Sequence, residues 1–192
     1  MTGTDTATTT RQRILDAAVE LVSEAGWASI TMAGLAERAG VSRQTVYNEI
    51  GTKSALADAV VLDELGRFLA VVESGFERHP RDLRAALRAA VQGVLERAGD
   101  SALLRAIVTA TSGGDTELLP PLTTRASSLI GAASAVVDAR ISSYEVAGDA
   151  PTRTTVVDML VRTVLSLVMQ PSGTPRSSAT RIADVVSASL TR

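Results

Sequence analysis

The sequence has no cysteine, and it has only one histidine and one lysine in 192 residues. Without cysteine there is no disulfide, no thiolate nucleophile and no zinc site with cysteine ligands. The histidine, His79, stands directly before Pro80, where we interpret it as a surface or helix-capping residue. No Asp, Glu and His cluster has metal-ligand spacing, and no Gly-rich phosphate loop follows a strand. We therefore expect no catalytic residue, no metal and no cofactor.

Aromatic residues are scarce as well, at 3% of a chain that is 45% hydrophobic. Alanine, leucine and valine must therefore form the core, and alanine and leucine favour helices because they lose little entropy in them. No apolar run approaches eighteen residues, and the polar opening MTGTDTATTT does not have the pattern of a secretory signal. We expect a cytoplasmic, all-helical protein.

Net positive charge is also missing, since the chain carries −2 overall. Residues 1–53 contain five basic and six acidic side chains, so this part is acidic too. A basic surface is the usual mark of a DNA-binding protein. Any nucleic-acid interface must therefore depend on where individual charges lie.

Apolar spacing, hydroxyl caps and Gly or Pro breaks predict about nine helices. The expected fold is all-α, with an N-terminal three-helix domain (residues 1–53, ordered from about residue 9) and a larger helical bundle (residues 54–192). The predicted helices cover approximately residues 10–25, 32–39, 43–49, 52–79, 81–98, 101–111, 122–144, 155–169 and 177–190.

The second and third helices form a helix-turn-helix pattern, joined by Gly40-Val41-Ser42. In such a motif the second helix enters the major groove of DNA, where Arg suits guanine and Gln or Asn suits adenine. The alternative is a helical hairpin whose polar face meets only solvent. The outward residues of this helix are predicted to be Arg43, Gln44, Thr45, Tyr47 and Asn48.

Four cations stand in first turns of predicted helices: Arg11, Arg13, Arg43 and Lys53. A helix N-terminus favours acidic groups, so each placement should cost about 0.3–1 kcal/mol. DNA phosphates would offset that cost, because helix N-termini already attract anions. Alternatively, salt screens exposed helix ends and the placement has no functional meaning.

The run ITMAGLAERAGVSRQTVYNEIGTKSALADAV resembles the DNA-binding signature of the TetR family over about residues 9–60. That signature is approximately T-x-x-x-L-A-x-x-A-G-V-S-x-x-T-x-Y-x-x-F-x-x-K-x-x-L. The matching positions are Thr31, Leu35, Ala36, Ala39, Gly40, Val41, Ser42, Thr45, Tyr47, Lys53 and Leu56.

The resemblance implies a homodimeric, ligand-responsive transcription factor, most often a repressor, whose first domain binds DNA. Two positions depart from the pattern: Ile50 replaces the usual aromatic residue, and Glu49 replaces His or another uncharged residue. Glu49 either points away from DNA, reads a cytosine amine or weakens binding. The residues that the resemblance places on DNA are Thr31, Ser42, Arg43, Gln44, Thr45, Tyr47, Asn48 and Lys53.

The segment 155–169 is apolar nearly all the way round, so it must be covered on two sides. With the final helix it suits a two-fold, four-helix interface between subunits, although an internal core helix of a monomer is the alternative. The predicted interface residues are Val157, Leu160, Val164, Leu167, Val168, Ile182, Val185, Val186 and Leu190.

The resemblance also implies a ligand pocket within the middle helices, and an aliphatic or lipid-like ligand suits the scarcity of aromatics. Three functions remain open: a ligand-released repressor, a constitutive DNA-binding regulator, or a small-molecule binding protein with weak DNA affinity. The candidate pocket residues are Phe68, Phe76, Leu104, Val108, Leu129 and Met159.

Overall fold

The computed structural model describes residues 9–113, 126–146 and 149–190, without the side chains of residues 108–113. Within these ranges the chain forms nine α-helices and no strand, which confirms the predicted all-α fold. The helices are α1 (Thr10–Ala25), α2 (Met32–Ala39), α3 (Arg43–Glu49), α4 (Lys53–Glu77), α5 (Leu83–Asp100), α6 (Ala102–Gly113), α7 (Ala126–Ile141), α8 (Ala150–Met169) and α9 (Pro175–Leu190).

Local capping groups set the helix boundaries of the helix-turn-helix. The glycine that ends α2, Gly40, has φ 65 and ψ 41, a left-handed conformation in which a Cβ would be strained. Hydroxyl oxygens begin three helices by accepting from the amide three residues on, which satisfies an otherwise unpaired N–H group. These pairs are Thr31 with Gly34, Ser42 with Thr45, and Thr52 with Ala55.

Of the described residues, the first of two compact units comprises 9–64 together with 102–113. This division falls beyond residue 53 and assigns α6 to the N-terminal unit. Leu103 and Ile107 of α6 are buried in the same cluster as the helix-turn-helix core. That cluster includes the fully buried side chains of Ile14, Leu35, Val46 and Leu56.

The second unit comprises the described residues 65–101, 126–146 and 149–190, with α5, α7, α8 and α9 contributing to one core. Helix α4 approaches α5 closely at Gly75, where an added Cβ would lie 2.6 Å from backbone atoms of Ala90. Ion pairs join other helices of this unit at its surface. Arg84 of α5 contacts Asp184 of α9 at 2.5 Å, and Arg153 of α8 contacts Asp138 of α7 at 2.8 Å.

Helix α8 begins earlier than the expected start near residue 155. Asp149 is its N-cap, accepting from the amide of Thr152 at 2.9 Å, and Pro151 occupies the first turn. Proline is tolerated there because its missing N–H would have no partner within the helix. The predicted helix at 122–144 is described from Ala126 to Ile141; its part before residue 126 lies outside the described residues.

Candidate nucleic-acid interface

Helix α3 has one face in the core and the other in solvent. Val46 is fully buried and Ile50 is nearly so, which fixes the helix against α1 and α2. Ile50 therefore fills an apolar position in the core, although the resemblance favours an aromatic residue there. On the outer face Tyr47 is 53% exposed. Arg43, Gln44 and Asn48 are exposed beside it, and Thr45 is half-buried.

Two side-chain hydrogen bonds organise this outer face. The Gln44 amide nitrogen donates to Oδ1 of Asn48 at 2.9 Å, and the hydroxyl oxygens of Ser42 and Thr45 are 2.8 Å apart. The hydrogen bond joins the side chains of two exposed residues one turn apart on α3. Each of these amide side chains carries both a donor and an acceptor, which is the combination that suits adenine in the major groove.

Three of the four cations at helix starts donate to main-chain carbonyls within the first unit. Arg13 reaches the carbonyl oxygens of Ala39 at 2.6 Å and Gly40 at 3.3 Å, where α2 ends. Arg11 donates to the carbonyl of Glu49, the last residue of α3. Both arginines therefore lie at the negative end of another helix, which offsets their position at the start of α1.

Lys53 belongs to the same pattern. Its ammonium donates to the carbonyl of Ala28 at 3.3 Å and lies 5.8 Å from the centre of the Trp27 ring. The protein itself thus supplies acceptors for Arg11, Arg13 and Lys53, so these placements do not require DNA phosphates to explain them. Among the residues that the structure describes, no hydrogen bond or ion pair involves the Arg43 side chain, which stays directed at solvent.

Arg38 of α2 forms a charged clamp that the sequence analysis missed. Its guanidinium donates to both carboxylate oxygens of Glu24, at 2.8 and 2.7 Å, and to Glu20 at 3.3 Å. These hydrogen bonds lower the pKa of Glu24 and raise that of Arg38. Glu20 and Glu24 are four residues apart on α1, a spacing that places both on one face and was visible in the sequence.

Comparison with known proteins agrees with this geometry. Residues 14–60 match the family described as "Bacterial regulatory proteins, tetR family". Residues 82–188, more than half of the chain, match "Bacterial Tetracyclin repressor, C-terminal domain". The chain belongs to the TetR family.

The HTH-type transcriptional regulator AlkX of Mycobacterium tuberculosis is 26% identical over 176 residues, which are 92% of this chain and 82% of that protein. The tetracycline repressor protein class D of Escherichia coli is 37% identical over 57 residues, which are 30% of this chain and 26% of that protein. Among solved structures, the TetR-family repressor AlkX from Dietzia sp. strain DQ12-45-1b has a TM-score of 0.75 and 27% identity, covering 95% of both chains.

Glu49 is the residue at which this TetR-family protein departs from the DNA-binding signature. Its main-chain carbonyl accepts from Arg11, whereas its side chain is exposed at the end of α3. The carboxylate is therefore accessible from solvent, and it places a negative charge on the same short helix as Arg43.

The six candidate pocket residues do not form one group. Leu104 packs on the core of the first unit, and the side chain of Val108 lies outside the described residues. Phe76 is an ordinary core residue of the second unit, 6.0 Å from the Tyr144 ring. Met159 is 63% exposed at the surface of its unit, and its assignment to the pocket stays a prediction. Phe68 and Leu129 are half-buried in the second unit.

The predicted interface residues fall into three classes of burial. Val157, Leu160, Val186 and Leu190 lie in the core of their own unit, because α8 and α9 direct one side of each helix inward. Their assignment to a subunit interface stays a prediction. Val185 is 67% exposed. The half-buried residues are Val164, Leu167, Val168 and Ile182.

Three large apolar side chains on the outer side of α8 are exposed: Met159, Leu165 and Met169. Val185 of α9 is exposed as well, and periodicity alone did not separate these four side chains from the core. No helix in the described ranges is long and apolar enough to cross a membrane.

Proposed function

We propose that this TetR-family protein is a homodimeric repressor that leaves a palindromic operator when a small hydrophobic ligand binds. In this proposal residues 1–53 bind DNA, residues 54–192 bind the ligand and form the dimer, and the protein acts in the cytoplasm by binding rather than catalysis. The observation that supports this proposal most directly is the polar outer face of α3. The buried side chains of Val46 and Ile50 hold this face outward.

Base recognition is assigned to the exposed part of α3. Arg43 is exposed and suits guanine, and the exposed amide side chains of Gln44 and Asn48 suit adenine. Thr31, Ser42 and Thr45 lie near helix starts, where hydroxyl and amide groups bind phosphate oxygens. Tyr47 and Lys53 complete the proposed contact set.

Dimerisation is assigned to the outer apolar surface formed by Met159, Leu165, Met169 and Val185. Exposed apolar side chains on two neighbouring helices favour burial against a second copy, which gives an isologous four-helix contact. Val164, Leu167, Val168 and Ile182 would then lie at its edge. A two-fold dimer presents two α3 helices to half-sites about 34–36 Å apart.

The Dietzia repressor is described as implicated in biodegradation of n-alkanes. That description supports an aliphatic ligand for the present chain, in agreement with its scarcity of aromatic residues. Ligand binding releases DNA only when the ligand binds one conformation better than the other.

The DNA-binding function is tested by selecting duplexes from a random library with the purified protein and measuring their affinity at several salt concentrations. We expect a palindromic site, with Arg43→Ala and Gln44→Ala each relaxing the base preference at one position per half-site. If no sequence is enriched, the protein is a small-molecule binder. If a site is enriched but no aliphatic ligand weakens binding, the regulator is constitutive.

The dimer is tested by sedimentation of Val185→Arg against Ala135→Arg, since Ala135 is exposed on α7 and is not one of the predicted interface residues. A charge at Val185 should produce monomers and abolish cooperative operator binding, whereas Ala135→Arg should remain dimeric. Two dimeric variants would refute the assigned interface.

A further inference from the structure

Glu49 carries the one negative charge on α3. Its side chain is exposed, and none of the described residues forms a hydrogen bond or an ion pair with its carboxylate. The residue is the last of α3, at the negative end of the helix dipole, where an acidic group is unfavourable. Neither packing nor pairing within the described part of the chain therefore explains an acid at this position.

The side chain of Glu49 lies on one flank of the exposed face of α3. Successive residues of an α-helix are rotated by about 100° about its axis. Asn48 stands midway between Val46 and Ile50, which are buried, so it lies opposite the core. Tyr47 and Glu49 are therefore each rotated by about 100° from Asn48, in opposite directions, and form the two flanks of the exposed face.

The dimensions of the major groove give these two flanks a different environment from the residues between them. The groove is about 12 Å wide, and an α-helix with its side chains has a diameter of about 10–12 Å. A recognition helix therefore fills the groove, with its outermost residues at the base edges and its flanks beside the phosphates of the two strands. The Tyr47 hydroxyl can donate to a phosphate oxygen, whereas the ionised Glu49 carboxylate has no donor and repels the phosphate.

Arg11 places a cation at the same end of α3. Its guanidinium donates to the Glu49 main-chain carbonyl, and its other N–H groups form no hydrogen bond with the residues that the structure describes. A glutamate carboxylate lies at most about 7 Å from its own carbonyl oxygen by standard bond lengths. The two charges are therefore separated by no more than about one Debye length, about 10 Å at 0.1 M salt. The Glu49 carboxylate thus offsets part of the attraction between Arg11 and a phosphate.

We propose that Glu49 sets the affinity of this protein for DNA: its carboxylate repels phosphate at one wall of the major groove and weakens binding to every duplex, without reading a base. The proposal rests on the proposed function, in which α3 enters the groove. Affinity differences between related complexes arise mostly in the dissociation rate. The carboxylate therefore shortens the time for which the protein stays bound, whatever the sequence of the operator.

The proposal is tested by fluorescence anisotropy of the full-length protein with two labelled duplexes of equal length, the site selected from the random library and a scrambled sequence. Glu49→Gln keeps the size of the side chain and removes its charge. We expect this variant to bind both duplexes about three- to tenfold more tightly, with a salt slope that is steeper by up to about one. Its dissociation rate should fall by a similar factor. A repeated selection should return the same base preference.

Glu145→Gln is the matched control, because it makes the same change in net charge at an exposed residue of the second unit. Glu145 lies outside the residues that bind DNA in the proposed function, so its variant should bind both duplexes as the wild-type protein does. Thermal melting shows whether the variants are folded. Both glutamates are exposed, so we expect each variant to melt as the wild-type protein does.

Two results would overturn the proposal. An unchanged affinity and salt slope in Glu49→Gln would show that the carboxylate points away from DNA, and the loss of a preference for cytosine at one position would show that it reads a base. The role of Glu49 and the proposed function can fail separately. A selected site that wild-type protein and Glu49→Gln bind equally well leaves sequence-specific regulation standing and rejects the role of Glu49. Tighter binding of Glu49→Gln to all duplexes, with no sequence enriched, does the reverse.

Discussion

Replacing Arg13 by Ala should weaken operator binding while leaving its salt dependence unchanged. The reason is that Arg13 donates to the carbonyls of Ala39 and Gly40, at the junction between α2 and the turn that leads into α3. The guanidinium therefore holds the turn against α1 and positions α3. A phosphate contact would instead make the salt slope less steep when it was removed.

The magnitude follows from these two hydrogen bonds. Hydrogen bonds to charged groups contribute about 1.5–3 kcal/mol, but the Arg13 side chain is exposed, and water and salt reduce that value. We take about 1 kcal/mol in the free energy of unfolding. For a chain of this length that corresponds to a fall in Tm of about 2–4 °C. Operator affinity should fall by no more than about tenfold, since tenfold corresponds to about 1.4 kcal/mol.

The assay is fluorescence anisotropy of labelled operator DNA at several salt concentrations, together with thermal melting. Arg43→Ala is the control, because it removes the same charge from an exposed side chain on α3. Arg43→Ala should leave the Tm unchanged and alter the base preference. Arg13→Lys should recover part of the stability that Arg13→Ala loses, because lysine keeps a single donor group. A salt slope reduced by about one in Arg13→Ala, with an unchanged Tm, would refute the positioning role.

Three further predictions concern other parts of the chain. Gly75→Ala should destabilise the protein by about 1–3 kcal/mol in denaturant unfolding, because the added Cβ meets the Ala90 backbone. In Gly66→Ala, on the same helix, the added Cβ meets no other atom, so this variant should be more stable by about 0.5–1 kcal/mol. Lys53→Ala should weaken operator binding about equally across sequences and lower the salt slope by about one; an unchanged slope would restrict Lys53 to contacts within the protein. The pKa of Asp149 is lowered by its hydrogen bonds at the start of α8, so its stabilisation is present above about pH 4 and is lost as the pH falls through the lower folded-state pKa. Asp149→Asn keeps the cap but should flatten the acid side of a plot of Tm against pH, and an unchanged plot would contradict this.

The helix-turn-helix was predictable because its signals are local. Thr31 and Ser42 cap helices through amides three residues away, and Gly40 supplies a backbone conformation that other residues avoid. Such interactions depend on neighbours in sequence, so spacing reveals them. The outward residues of α3 followed from the same periodicity, because burial of Val46 fixes which side of a short helix faces the core.

The cations at helix starts show where sequence reasoning ends. Their positions were visible and their unfavourable placement was noted, but the compensating groups are distant in sequence. Arg13 is 26 residues from Ala39, and Arg11 is 38 residues from Glu49. From the sequence alone, a cation in an unfavourable position suggests an external anion as its partner. In the folded chain, a main-chain carbonyl that is distant in sequence accepts its hydrogen bond instead.

Helix α8 was difficult for another reason. It is apolar nearly all round, so periodicity could not decide which side its own unit covers. The structure directs Val157 and Leu160 inward and leaves Met159 and Leu165 outside. Adjacent positions along α8 thus have opposite environments. The positions of α5, α7 and α9 determine which residues of α8 are buried and which are exposed.

The acidic balance of residues 1–53 is a poor guide to the charge that DNA would meet. Two of the six acids, Glu20 and Glu24, are paired with Arg38 between α1 and α2, so they are neutralised within the protein. Three of the five basic groups, Arg11, Arg13 and Lys53, donate to main-chain carbonyls. The charges left on α3 itself are Arg43 and Glu49. In the proposed function, specificity therefore comes mainly from hydrogen-bonding groups on this helix, and attraction to phosphate comes from helix starts rather than from a broad basic surface.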